Sequence, residues 1–197
     1  MGALDGKHIT IRPPVGSGSY YFNYKHSFSV VLLALVDSDY KFIYVDIGCN
    51  GRVSDGGVFR NSSLYAAMQT NALDFPSPEV LDEPDKLLPY VIVADDAFPL
   101  SENLMKPYAS RNQTKEQRIF NYRLSRACRT VENAFGILAN RFRVFLSPIA
   151  LEPAKVEKVV LASCVLHNYL RERSASRAIF TPPGYMDVED ETTHYGN

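Results

Sequence analysis

Residues 28–37 read Phe-Ser-Val-Val-Leu-Leu-Ala-Leu-Val-Asp, and this run decides the fold. It is β-branched and apolar throughout, the pattern of a strand buried on both faces. Asp37-Ser38-Asp39 then reads as a tight turn, and Lys41 to Cys49 (KFIYVDIGC) as the returning arm of a hairpin. Upstream, Ala3 to Ile11 alternates apolar and polar residues after Asp5 and stops at Pro13-Pro14, a first strand with a kink at Gly6. Downstream, Asn50-Gly51 is a turn, and Ser54 caps a helix running through Asp55 and Val58 to Met68. Residues 71 to 89 are rich in proline and acid and read as a surface connection. Tyr90 to Ala94 is another buried strand, ending at Asp95-Asp96, and Met105 to Tyr108 is a short last strand. Apolar residues recur at threes and fours from Thr114 to Phe142, with Thr114 and Gln117 placed for a capping box. A final amphipathic helix spans Pro153 to Arg173. The sum is an α/β protein, a mixed five-stranded sheet flanked by helices.

Composition limits the possibilities. The 197 residues suffice for one sizeable core, so residues 1–173 are read as one domain and the polar, acidic stretch 174–197 as a disordered tail. The formal net charge of −1 gives no global attraction to nucleic acid, so any such attraction must be local. Cys49, Cys128 and Cys164 are odd in number and widely spaced, which disfavours a disulfide framework and points to a reducing compartment. The longest apolar run is too short to span a bilayer. The N-terminus shows no signal peptide and enters a strand almost at once, as if the chain began mid-protein.

Four acids carry the chemistry: Asp5, Asp55, Asp95 and Glu132. If the strands bearing Asp5 and Asp95 are neighbours, both carboxylates project from one sheet edge. Glu132 faces that edge if the Val131, Phe135 and Leu138 stripe does. Packed carboxylates stay ionised together only beside a cation; otherwise one takes up a proton. Oxygen ligands favour Mg²⁺ or Mn²⁺, and two such ions clamp the attacking and leaving oxygens of a phosphoryl transfer. Blander readings stand beside this one. Asp55 suits the first turn of any helix, and Glu132 suits an ion pair with Arg126 or Arg129. Residues 106–143 hold nine basic residues against two acidic, a local charge of +7, with Arg126, Arg129, Arg141 and Arg143 as candidate phosphate contacts. A solvated helix face is the competing explanation. His8 lies close in sequence to Asp5 and reads as a neighbour of the site, whereas His167 reads as a hydrogen-bonded core histidine. Tyr20, Tyr21, Tyr24 and Lys25 either pack in the core or form an aromatic and basic surface for bases and backbone.

At these residues the chain resembles the catalytic domain of PIF/Harbinger-type transposases. The likeness lies in Gly2 to Ile9 (GALDGKHI), Gly51 to Phe59 (GRVSDGGVF), Ala94 to Leu100 (ADDAFPL), Arg129 to Leu138 (RTVENAFGIL) with Arg141-Phe142-Arg143, and Leu166 to Leu170 (LHNYL), all in the family's order. The resemblance implies a ribonuclease H-like fold and an Asp-Asp-Glu centre of Asp5, Asp95 and Glu132, with Asp55 as a further acid near the metals. One departure is Ala94, where relatives carry glycine. The implied activity is metal-dependent cleavage of DNA, with a divalent cation (Mg²⁺ or Mn²⁺) as cofactor. The implied setting is the nucleus, with the cytoplasm as second location. The implied partners are DNA, a separate Myb-like DNA-binding protein and further copies of the chain, with no membrane. The alternative is a domesticated, non-catalytic adaptor on DNA or chromatin.

Overall fold

The computed structural model describes residues 1–80 and 86–173. The expected tail, 174–197, lies outside the described residues. Strands β1 (Gly2–Thr10), β2 (Ser29–Val36) and β3 (Phe42–Asn50) form an antiparallel meander. Two short helices follow, α1 (Asp55–Arg60) and α2 (Ser63–Gln69), then the small hairpin β4 (Glu79–Val80) and β5 (Leu87–Leu88). The chain returns as β6 (Ile92–Ala94), parallel to β1 on the side away from β2, and β7 (Leu104–Met105) adds parallel to β6. The main sheet therefore has the mixed order β3-β2-β1-β6-β7. Helix α3 (Lys115–Arg141), a 3₁₀ turn (Arg143–Leu146) and α4 (Pro153–Glu172) complete the fold. The fold is α/β with a mixed five-stranded sheet flanked by helices, consistent with the ribonuclease H-like architecture.

All of β2 is buried, and its period-2 alternation divides the core. Val30, Leu32, Ala34 and Val36 pack with Val131, Ala134, Phe135 and Leu138 of α3 and with Val156 and Val160 of α4. Val31, Leu33 and Leu35 pack on the other face with Val58 and Phe59 of α1 and Leu64 of α2. The sheet is thereby held from both sides at its centre.

Several local expectations shift. The helix expected from Ser54 to Met68 is two helices, because the Ser62 hydroxyl donates to the Phe59 carbonyl (2.7 Å) and accepts from the Tyr65 N–H (3.2 Å), ending one helix and capping the next. The last strand sits at Leu104–Met105, slightly before the expected Met105–Tyr108. The acidic connection carries the β4–β5 pairing. The capping box of α3 is present, with Thr114 accepting from Gln117 N–H and Gln117 accepting from Thr114 N–H. Of the apolar residues that recur along this helix, Ile119 and Tyr122 are exposed; α3 is roughly 40 Å long and overshoots a sheet about 30 Å deep. Gly6 makes no kink, since the β1–β2 register runs through it unbroken. Among the described residues, no helix is long and apolar enough to cross a membrane.

The Leu-His-Asn segment of α4 fastens the free edge of the sheet. Asn168 accepts from the Phe42 N–H and donates to the Phe42 carbonyl, both at 2.8 Å, as a neighbouring strand would. The buried His167 donates from Nε2 to the Tyr40 carbonyl (2.7 Å), and Arg171 Nε donates to the Asp39 carbonyl (2.9 Å). Burial lowers the His167 pKa to about 4, so the ring is neutral at pH 7. Tyr40 adopts a left-handed backbone (φ 61°), costly for a bulky residue, and these bonds hold it there. Asn168→Ala strands both Phe42 backbone groups. It should cost about 2–3 kcal/mol in urea unfolding, with Asn168→Asp recovering only part of that.

Candidate active site

Three elements bring the acids to one region. Leu4 on β1 pairs with Ala94, the last residue of the parallel strand β6, so Asp5 stands beside Asp95, the first residue after that strand. Asp5 is a mid-strand residue and sits where β6 leaves the sheet. Leu4 and Ala94 point into the core on the α1 side, so alternation turns Asp5 toward the α3 side, while Asp95 opens the turn after β6. The Ala94 methyl is fully buried, away from the carboxylates. Glu132, on α3, lines with Asp5 an open cavity of about 270 Å³ that also borders Lys7, His8, Lys25 and Phe135.

Asp55 arrives from the opposite side. It is the first residue of α1, whose N-cap Ser54 accepts from the Gly57 N–H. A side chain on Gly6 would collide with the Asp55 carboxylate, and one on Gly56 would collide with the Ala97 carbonyl. These glycines therefore let α1 close on β1 and on the turn after Asp95. In that turn Asp95 accepts from the Ala97 N–H (2.9 Å).

The electrostatics record the crowding. Burial raises the Asp5 pKa to about 7; the Gly6 N–H opposes this, and the charges of Asp55, Asp95 and Glu132 add to it. Burial, then the charge of Asp95, raises Asp55. Burial also raises Asp95, with Ala97 N–H opposing. Asp55 Oδ1 is buried with no hydrogen-bond partner among the described residues. Such an oxygen either carries a proton or faces a cation. Among the described residues, no group of three or more His, Cys, Asp or Glu side chains is placed so that it could hold a metal ion as it stands. The donor chemistry, carboxylate oxygens with the orphaned Asp55 Oδ1 among them, is the kind that suits a hard divalent cation.

The structure adds residues to those expected. Cys128 stands one helical turn before Glu132, and burial together with Asp5, Asp95 and Glu132 lifts its thiol to about 11, so it stays protonated at neutral pH. Its i, i+4 spacing from Glu132 was the available signal, although the residue reads more simply as core. Lys7 shares a strand face with Asp5, and burial lowers its pKa, as does Lys25. His8 borders the cavity, as its sequence position suggests, and bonds Ser29 Oγ through Nδ1 (2.8 Å). Cys49, Cys128 and Cys164 are all free thiols. Of the four arginines singled out, Arg129 and Arg143 are exposed and Arg126 is half-buried. Arg141 is also half-buried and donates from Nη1 to the His167 carbonyl (3.3 Å), joining α3 to α4.

With this geometry in hand, known proteins give the context. The chain is 29% identical over 194 residues to "Protein ALP1-like" of Arabidopsis thaliana, covering 97% of this chain and 44% of the relative. It is 26% identical over 199 residues to "Putative nuclease HARBI1" of Homo sapiens, covering 98% and 53%, and 22% identical over 197 residues to the protein of the same name in Xenopus laevis, covering 98% and 52%. The chain thus spans about half the length of these curated relatives. No solved structure matches it significantly. The profile described as "DDE superfamily endonuclease" matches residues 4–168, from the residue before Asp5 to the asparagine that fastens α4. The chain belongs to the DDE superfamily endonucleases, in company with Harbinger transposase-derived relatives.

Proposed function

We propose that this chain is the catalytic domain of a divalent-metal-dependent nuclease that cleaves DNA phosphodiester bonds through Asp5, Asp95 and Glu132. The observation that supports the reading is that Asp5 stands beside the end of the parallel strand β6, where Asp95 follows, with Glu132 sharing the cavity of Asp5. Asp5, Asp55, Asp95 and Glu132 would hold Mg²⁺ or Mn²⁺, which supplies Lewis-acid stabilisation of the charge that builds on oxygen as a phosphodiester breaks. Asp5 is the centre of the set, since it feels each of the other three acids. Gly6 and the Asp95–Ala97 turn fix where Asp55 and Asp95 stand, so the acids are oriented before substrate arrives. Arg126, Arg129 and Arg143 lie on the same basic stretch as Glu132 and would contact phosphates; a guanidinium does so in bidentate fashion and keeps its charge at any working pH. Arg141 already has a structural task at the α3–α4 junction. A chromosomal DNA substrate places the work in the nucleus.

The reading makes two checks. With supercoiled DNA and Mg²⁺, Asp5→Asn, Asp95→Asn and Glu132→Gln should each lower nicking by more than the roughly 10–100-fold that changes outside the ligand sphere cost. Unchanged cleavage in all three variants would refute it. The second check needs no turnover. In the metal-free chain the folded state holds the Asp5 proton up to about pH 7, well above an ordinary aspartate. The contribution of this group to stability is full below about pH 4 and declines as pH rises through about 7. Thermal unfolding in EDTA should therefore show a fall between pH 5 and 8, by roughly these bounds, that Mg²⁺ reverses. Asp5→Asn should remove that fall and stabilise the metal-free chain at about pH 8, on the order of 2–4 kcal/mol. A destabilised Asp5→Asn at that pH would show that the acids are not strained.

A further inference from the structure

We propose that the turn Asn23–Ser27 is a platform for an unpaired DNA strand, with Tyr24 stacking on a base beside the cleaved phosphate and Lys25 and Lys7 contacting the backbone. This rests on the nuclease reading for its location and deepens it by naming the form of the substrate. The four residues Tyr20, Tyr21, Tyr24 and Lys25 part company in the structure. Tyr21 packs against the core. Tyr24 is 73% exposed, and Lys25, beside it, lines the cavity that holds Asp5 and Glu132.

An exposed tyrosine alone says little. This one is held by a built scaffold. The buried Asn23 accepts from the N–H groups of Lys25 (2.9 Å) and Ser27 (3.1 Å). Its amide donates to Ser27 Oγ (3.0 Å) and Ser29 Oγ (2.8 Å), and its own N–H donates to the Ser27 carbonyl (2.8 Å). Ser29, having accepted from Asn23, can donate to His8 Nδ1 (2.8 Å). The edge-to-face contact of His8 with Tyr24 (5.4 Å between centroids) closes the circuit from β1 through the turn and back. His26 completes the tight turn with a left-handed backbone (φ 58°). The turn thus presents its ring and its ammonium in fixed places, at little ordering cost on binding.

Charge and shape select the occupant. Lys25 Nζ lies over the Tyr24 ring (5.3 Å), and Lys7 Nζ lies over the Phe135 ring (5.6 Å) on the wall shared with Glu132. Two ammonium groups bordering one small cavity call for an anion between them, and a phosphodiester satisfies both while its next base meets the tyrosine. A base inside a duplex has both faces covered by its neighbours, whereas an unpaired base offers a free face to the ring.

The chain contains no tryptophan, so Tyr24→Trp installs a single indole at the platform. Titration in EDTA with single-stranded oligothymidylate should quench its emission, and titration with a blunt GC-rich duplex should not. By anisotropy, Tyr24→Ala should weaken oligothymidylate binding about ten- to a hundredfold, with Tyr24→Phe close to the parent and duplex affinity little changed. Lys25→Ala should reduce the salt slope of single-strand binding by about 0.7. Absence of quenching, or equal losses on both DNAs in Tyr24→Ala, overturns the platform. Because these readouts need neither metal nor cleavage, quenching in a chain that fails to nick supports the platform and counts against the nuclease reading alone.

Discussion

Like charges gathered in one place are the constraint on which the rest of this structure depends. Two ionised carboxylates at about 4 Å repel by roughly 4 kcal/mol at an effective dielectric near 20. Here burial first, and then the charges of Asp55, Asp95 and Glu132, keep the proton on Asp5 to about pH 7. An arrangement of this kind relaxes unless the backbone beneath it is held firmly. The parallel register of β1 and β6 fixes two of the acids, and the N-terminus of α1, closing where Gly6 has no side chain, fixes a third. The wholly buried β2 supplies the rigidity, packed on α3 and α4 by one set of side chains and on α1 and α2 by the alternate set. The stability of the two cores offsets the strain at the acids, a trade expected of sites selected for chemistry.

The neighbouring cations do not relieve that strain. Lys7 lies two residues from Asp5 and feels its charge, yet burial and Lys25 still lower the Lys7 pKa. Asp55 feels Lys25, but burial and Asp95 prevail and its pKa stays high. A cluster shaped for stability alone pairs its opposite charges internally. In this one Asp5 and Glu132 border the same cavity as Lys7 and Lys25, and burial pushes both Asp5 and Lys7 toward their neutral forms, which suits an outside cation for the acids and an outside anion for the lysines. The formal charge of −1 conceals this separation, because the chain as a whole balances what the site keeps apart.

How much of this was legible in the sequence follows from the range of each interaction. The double burial of β2 and the capping box of α3 are local patterns and could be read directly. That Asp5 stands beside Asp95 depends on the strand order, a long-range pairing that the parallel register of β1 and β6 displays and local patterns do not. The break between α1 and α2 turns on which way a single serine hydroxyl points, and periodicity does not report that. Gly6 reads as a kink in a strand, since the carboxylate that needs its empty side arrives from residue 55. Arg141 reads as one more exposed cation because its partner carbonyl is 26 residues away on another helix. The roles of Tyr21 and Tyr24 are indistinguishable by composition; in the fold Tyr21 packs on the core while Tyr24 rides outward on the turn that the buried Asn23 amide braces.

The Leu166–Leu170 motif shows how a segment remote from the chemistry belongs to the same problem. None of its side chains borders the cavity of Asp5 and Glu132. Its His167 and Asn168 instead bind the backbone of Tyr40 and Phe42, at the turn that delivers β3 to the edge of the sheet. Without that grip β3 is an open edge strand with a strained turn, and β2 has no firm partner on its outer side. β2 in turn is the antiparallel partner that holds Asp5 opposite Ala34. The neutrality of His167 matters here, because a charged imidazole buried beside Arg141 and Arg171 would repel both. A histidine and an asparagine that do not border the cavity of Asp5 and Glu132 thereby secure the register in which the acids stand.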